Sequence, residues 1–247
     1  MNTLDERARI ASAGTDSSVN GVATRVFLQP VAAPSVLGLF GFAAATFIVA
    51  SNLAGWWGTP KSALVLAPFA AMFGGLAQLL AGMWAYRARD AIATAMHGAW
   101  GSFWLAYGIL NVLLATHVLT QAVPWYHDPA LGFWFFALAI VTASGALASL
   151  AESVGLFAVL STLAAGSGIL AGSFIYGSHT WTEVAGWVLV FSAGFAWYTA
   201  TARMLEAAGG MVVLPLGKYG RAANVPGSKL TRPIELEWAE PGIKMGQ

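Results

Sequence analysis

The residues of this chain that could do chemistry are few, and most are polar without being charged. Trp100, Trp104, Tyr107 and Asn111 fall at i, i+4, i+7 and i+11, which places two indoles, a phenol and an amide on one face of a helix. His97 lies about one turn before them. Gln78 stands near the middle of another apolar stretch, while Asn52 and Asn111 stand nearer the ends of theirs. Groups of this kind exchange hydrogen bonds with a small solute in place of its water, or they tie helices together. An unpaired amide in hydrocarbon is costly, so Gln78 must face either a neighbouring helix or water. Both readings stand for Gln78, Asn52 and Asn111. His97 is either a pH-sensitive group or a neutral imidazole bonded across helices. The aromatic stripe serves packing or, if it faces inward, a constriction.

Several chemistries are excluded. The chain has no Cys, which removes disulfides, thiolate metal sites, iron–sulfur clusters and a catalytic thiol. His97 and His117 are 20 residues apart on one expected helix, a separation of about 30 Å, and His127 and His179 fall in loops. No metal or haem site is expected, and no cofactor. Nor does any span carry a nucleophile–base pair, so the chain does not read as an enzyme. A formal net charge of +1 gives no basis for binding nucleic acid. No Asp, Glu, Lys or Arg lies near the middle of any apolar segment; Glu152, Glu183 and Arg203 stand at segment ends. Proton pumps and many coupled carriers keep carboxylates buried there, and cation pores show acidic rings. The expected pathway is neutral, with no fixed cation to attract an anion.

The elements that must position these residues follow from composition. Hydrophobic residues make up 57% and charged residues 9%, against roughly 25% charged in soluble domains. Such a chain cannot cover itself in water, so most of its surface faces lipid. Six apolar segments are predicted, at 36–57, 64–86, 91–115, 131–151, 154–175 and 184–205. Each is about the length at which a helix crosses the hydrocarbon, and too long for a barrel strand. The fold class is an all-α membrane protein with six transmembrane helices over 36–205. It is preceded by a polar arm, 1–35, and followed by a tail, 206–247. The first segment lies too far along the chain, and is too long, for a cleaved signal.

Lys and Arg set the expected orientation. Arg7, Arg9, Arg25, Arg87, Arg89, Arg203, Lys218, Arg221, Lys229, Arg232 and Lys244 fall on one side and Lys61 on the other, eleven against one. Both termini are therefore expected in the cytoplasm of a plasma (inner) membrane protein, with 118–130 outside. Small residues recur at helical spacing: Gly74, Gln78 and Gly82 in the second segment, Ala164, Gly168 and Gly172 in the fifth. They allow close helix packing within or between subunits, or they widen a pore.

Read in order, four stretches resemble a known family. APSVLGLFGFAAATF in the first segment is similar to the NPAPLGL opening of the acetate uptake transporters, the succinate–acetate permeases. FGGLAQLLAGMWAYRARD resembles their GG-x-A-Q element, TAMHGAWGSFWL their YG-[SA]-FWL element, and RMLEAAGGMVVLPLGKY their closing VLP-x-G. Together these cover about residues 33–219. The resemblance implies a six-helix subunit of a cyclic homo-hexamer with one pathway per subunit. It also implies passage of acetate or similar short carboxylates, in some members by proton symport. The family's apolar constriction carries over onto Phe42, Trp100 and Leu163, and its glutamine onto Gln78.

The sequence departs from the family at several positions. The asparagine and second proline of NPAPLGL are absent, Ala85 replaces a glutamate, and His97 stands where an aromatic is common. Trp100 replaces the usual Tyr, giving a bulkier pinch that presents N–H in place of O–H. A channel-like path and co-transport with a proton both fit the absence of buried carboxylates. The alternative reading is a channel for a small neutral solute such as ammonia or water.

Overall fold

The computed structural model describes residues 32–59, 61–218 and 226; the expected N-terminal arm and most of the expected tail lie outside the described residues. Within the unit Val31–Gln247, six helices are long and apolar enough to cross a membrane. They are α1 (Pro34–Leu53), α2 (Ser62–Ala88), α3 (Ala91–Ala115), α4 (Pro129–Ser149), α5 (Val154–Tyr176) and α6 (His179–Gly209). The chain is a multi-pass membrane protein.

The helix ends are written in the sequence. Asp90, Asp128, Ser153 and Ser178 each accept a hydrogen bond from the backbone N–H three residues on, opening α3, α4, α5 and α6. Pro34 and Pro129 stand in the first turns of α1 and α4, where no N–H is needed. Gly177 and Gly210 close α5 and α6 at φ 68° and 63°, the left-handed region that glycine adopts without penalty. Three element boundaries differ from expectation. Helix α1 stops at Leu53, because Gly55 and Gly58 turn the chain at φ 76° and 88°. Ser178 starts α6 well before 184, and the helix runs on to Gly209.

The second span is not one regular helix. Ala71–Ala77 form a π-helical stretch between Ser62–Ala70 and Gln78–Ala88. The wide turn places the Phe73 carbonyl against Gly41 on α1, where a Cβ could not fit. Gly74, in the same stretch, takes up the edge of Trp104 and the methyl of Ala45. The glycines of α2 thus serve packing within the subunit, one of the uses left open above.

Helix α1 packs against α2, α3 and α6; α2 lies on α3, α4 on α5, and α5 on α6. The helices alternate in direction. Pro34, Asp90, Glu152 and Arg203 therefore share one end of the bundle, and Leu53, Lys61, Trp125 and His179 the other. At the Arg203 end the chain after α6 folds back over the start of α5. Val154 N–H donates to Gly217 O and Gly155 N–H to Leu216 O, while Tyr198 Oη donates to Pro215 O. The VLPLG stretch therefore satisfies first-turn N–H groups that a helix leaves without partners.

Candidate functional site

Two voids run into the bundle from opposite ends. A vestibule of about 570 Å³ opens at the Trp125 end and is bounded by α1, α3 and α5, by parts of α4 and α6, and by the loops after α1 and α3. A much smaller chamber of about 30 Å³, room for a water or two, lies at the Arg203 end.

The wall between them can be read along each helix. On α1 the chamber is lined by Ser35 and Leu39 and the vestibule by Thr46, Val49 and Ala50. On α3 the change falls between His97 and Trp100, and on α5 between Leu160 and Leu163. Phe42 lies between the two sets on α1. Its ring meets Trp100 edge-on, with centroids 6.4 Å apart. Phe42, Trp100 and Leu163 are each no more than 3% exposed. Phe42 and Trp100 thus meet where the two voids approach each other, and Leu163 of α5 lies at the same boundary within one buried apolar cluster.

The Trp100 N–H does not face this layer's passage. It donates to Thr142 Oγ1 on α4 at 3.0 Å, so the extra donor expected at the pinch is taken up by the wall. Trp104 and Tyr107 extend the stripe into the vestibule, with Trp104 edge-on to both Phe103 and Tyr107.

The remaining polar candidates divide. Gln78 Nε2 meets His97 Nδ1 at 3.3 Å between α2 and α3. Gln78 lines neither void, whereas His97 lines the chamber with its ring flat against Gly38. Asn52 and Asn111 both line the vestibule. Their amides are anchored locally: Asn52 Nδ2 donates to Trp57 O and Asn111 Nδ2 to Tyr107 O, each at 2.8 Å. Among the described residues no group of three or more His, Asp or Glu could hold a metal ion.

No fixed cation is expected along the path, yet Arg203 at the end of α6 is 3% exposed and lines the chamber. Its Nη1 donates to Ser35 Oγ at 3.0 Å and its Nη2 to Glu152 Oε2 at 3.1 Å. From the sequence Arg203 is one more basic residue at a span end. Only the crossing of α6 over α1 and the α4–α5 turn carries it inward, and no local pattern signals that.

These features have counterparts in known proteins. The model of the GPR1/FUN34/yaaH family matches residues 16–218. The succinate-acetate/proton symporter SatP of Escherichia coli (strain K12) is 26% identical over 188 residues, covering 76% of this chain and 96% of that one. The ammonia transport outward protein 2 of Saccharomyces cerevisiae is 28% identical over 181 residues, 68% of this chain and 60% of that one. The chain spans 57% of a further relative, from Schizosaccharomyces pombe, and so corresponds to a part of each yeast protein. A solved structure of the bacterial acetate channel SatP superposes with a TM-score of 0.70 at 23% identity, covering 76% of this chain and all of that one. Six apolar spans and a family match from 16 to 218 lead to one conclusion: the chain belongs to the GPR1/FUN34/yaaH family.

Proposed function

We propose that this protein carries acetate or a similar short monocarboxylate across the plasma (inner) membrane, through the neck formed by Phe42, Trp100 and Leu163. The observation that carries this reading is the end-to-end arrangement of two voids closing on one apolar layer. Relatives named for acetate, and for succinate-acetate/proton symport, supply the substrate class. An apolar neck dewets when narrow, so it opens by side-chain movement and not by a change of charge. The vestibule would face outward and the Arg203 end the cytoplasm, with 1–35 and 206–247 on that side, as the Lys and Arg distribution favours. Many large apolar side chains are exposed on the bundle; we assign them to lipid and to the faces of a homo-hexamer.

Proteoliposomes loaded with the protein and given labelled acetate, with and without a pH gradient, test the reading. Saturable acetate uptake supports it, and stimulation by an acidic exterior adds proton coupling. Ammonia or water flux without acetate flux would overturn it in favour of a neutral-solute channel. Orientation is tested separately with Val123→Cys and Arg87→Cys. Cys at 123 should react with an impermeant maleimide in intact cells, and Cys at 87 only after permeabilisation.

A further inference from the structure

A carboxylate enters an apolar layer only at a high desolvation cost, whereas its neutral acid does not. A proton that crosses the neck with the substrate has to be taken off beyond it. His97 is placed to do so. It precedes Trp100 by three positions on α3, about one turn toward the Arg203 end. It lines the chamber and is 5% exposed.

The charged residues around the chamber are Asp90 ahead of α3, Glu152 ahead of α5 and Arg203 on α6. Helix α1 contributes the neutral Ser35, and the neutral Gln78 reaches His97 from α2. Asp90 Oδ1 accepts the Ala93 N–H at 3.0 Å, and Glu152 Oε2 accepts from Arg203 at 3.1 Å. Both carboxylates are committed to structural bonds, and an arginine has no proton to exchange. Among the described residues that line the chamber, the imidazole remains as the base.

Its partner can serve two states. Gln78 Nε2 donates to His97 Nδ1, while Gln78 Oε1 is buried without a hydrogen-bond partner. Gln78 lines neither void, so the Nε2 edge of the ring borders the chamber. Turning the amide about sets Oε1 on an Nδ1–H and leaves a lone pair on His97 Nε2. The same arrangement holds the imidazolium, whose Nδ1–H still meets Oε1. Gly38 makes room for the ring, with which a Cβ would collide. Arg203 Nε, also buried, has no partner and offers an N–H to an anion formed in the chamber.

We propose that His97, positioned by Gln78, is the proton acceptor of the pathway, which rests on the carboxylate reading above. The neutral acid crosses the neck. Its O–H bond breaks and an N–H bond forms at His97 Nε2, leaving a carboxylate beside an imidazolium. The carboxylate is met by the Arg203 Nε–H and leaves toward the Arg203 end as Leu39, Leu156 and Leu160 yield. The imidazolium then passes its proton to water, and the neutral ring is restored. One proton accompanies each carboxylate, and no net charge crosses the neck.

The test is the initial rate of labelled acetate entry into acetate-free proteoliposomes with the Arg203 end inward. External pH is fixed, internal pH is varied, and the rate into protein-free vesicles is subtracted. The wild type should slow several-fold as the interior is acidified through the range in which imidazoles charge, because His97 keeps its proton. His97→Gln should be slower by about tenfold or more and indifferent to internal pH. Gln78→Met should displace the wild-type pH profile, because Nδ1 loses its partner. A His97→Gln protein that keeps the wild-type rate or the wild-type pH dependence overturns the proposal and leaves the carboxylate reading standing. So does a wild type indifferent to internal pH. An unmoved Gln78→Met profile overturns the positioning role of Gln78. If the wild type carries no acetate at all, the carboxylate reading fails and the proposal with it. Should His97→Gln not assemble by size exclusion, His97→Asn is read by the same criterion.

Discussion

The Trp100 indole N–H donates to Thr142 Oγ1 at 3.0 Å, and Thr142 Oγ1 donates in turn to the Leu138 carbonyl at 2.7 Å. This short relay fixes the largest side chain of the neck from α4, a helix that lines the vestibule above it but supplies none of the three neck residues. It also takes up the only polar atom of the Trp100 side chain. As the neck proposed above, such a layer would respond to the size and mobility of its rings.

Trp100→Ala should therefore raise acetate flux or admit a larger carboxylate such as succinate. Truncating a buried Trp costs about 3–5 kcal/mol in soluble cores, so assembly is checked in the same sample. Thr142→Val is the gentler probe. It leaves the indole N–H buried without an acceptor, at a cost of about 1–3 kcal/mol, and frees the ring to rock. Relative uptake of acetate and succinate reads both variants. Wild-type rate and selectivity in correctly assembled protein would make Trp100 a packing residue.

Arg203 and Glu152 form an ion pair whose side chains are only 2% and 9% exposed. Arg203→Met removes this buried pair and the bond to Ser35, and should destabilise by up to about 3–5 kcal/mol. The double change Arg203→Met with Glu152→Leu should recover most of that loss. The Tm of the detergent-solubilised protein measures both. Equal Tm for the single and double variants would mean that Glu152 is compensated elsewhere.

Two glycines form a matched pair. A Cβ on Gly41 would collide with the Phe73 carbonyl, which belongs to backbone and cannot swing aside, whereas a Cβ on Gly98 meets nothing within 4 Å. Gly41→Ala should abolish or sharply lower the yield of folded protein, and Gly98→Ala should be tolerated within about 0.5 kcal/mol. Size-exclusion profiles and Tm values decide. A well-folded Gly41→Ala protein would show that α1 and the π-helical stretch can part.

Gly168 is exposed on α5, and a Cβ there would touch only Ala139 of its own chain, at 4.0 Å. Gly172, by contrast, is covered by Trp181. If Gly168 faces a neighbouring subunit, Gly168→Leu should shift the solubilised particle toward monomer on a native gel or by light scattering. An unchanged particle would assign this face to lipid.

The helix number was legible in the sequence because it depends on residues close together in the chain. Six long apolar runs admit only helices in a bilayer. The caps Asp90, Asp128, Ser153 and Ser178 are equally local, since an N-cap acts within one helical turn, but the apolar runs alone put the start of α6 too late. Phe42 and Trp100, which meet edge-on, were reachable through the resemblance because they lie in ordered motifs.

What depends on how helices cross was decided only by the tertiary structure. The π-helical stretch answers the close approach of Gly41 to the Phe73 carbonyl. The indole of Trp100 is engaged because Thr142, 42 residues away, happens to face it. Arg203 looked like an ordinary span-end cation until α6 brought it beside Ser35 and Glu152. Whether a buried hydroxyl bonds within its own helix, as Thr142 does to the Leu138 carbonyl, or across helices, as Ser192 does to the Val159 carbonyl, is set by which atoms fill the space around the oxygen, and packing across helices fixes that.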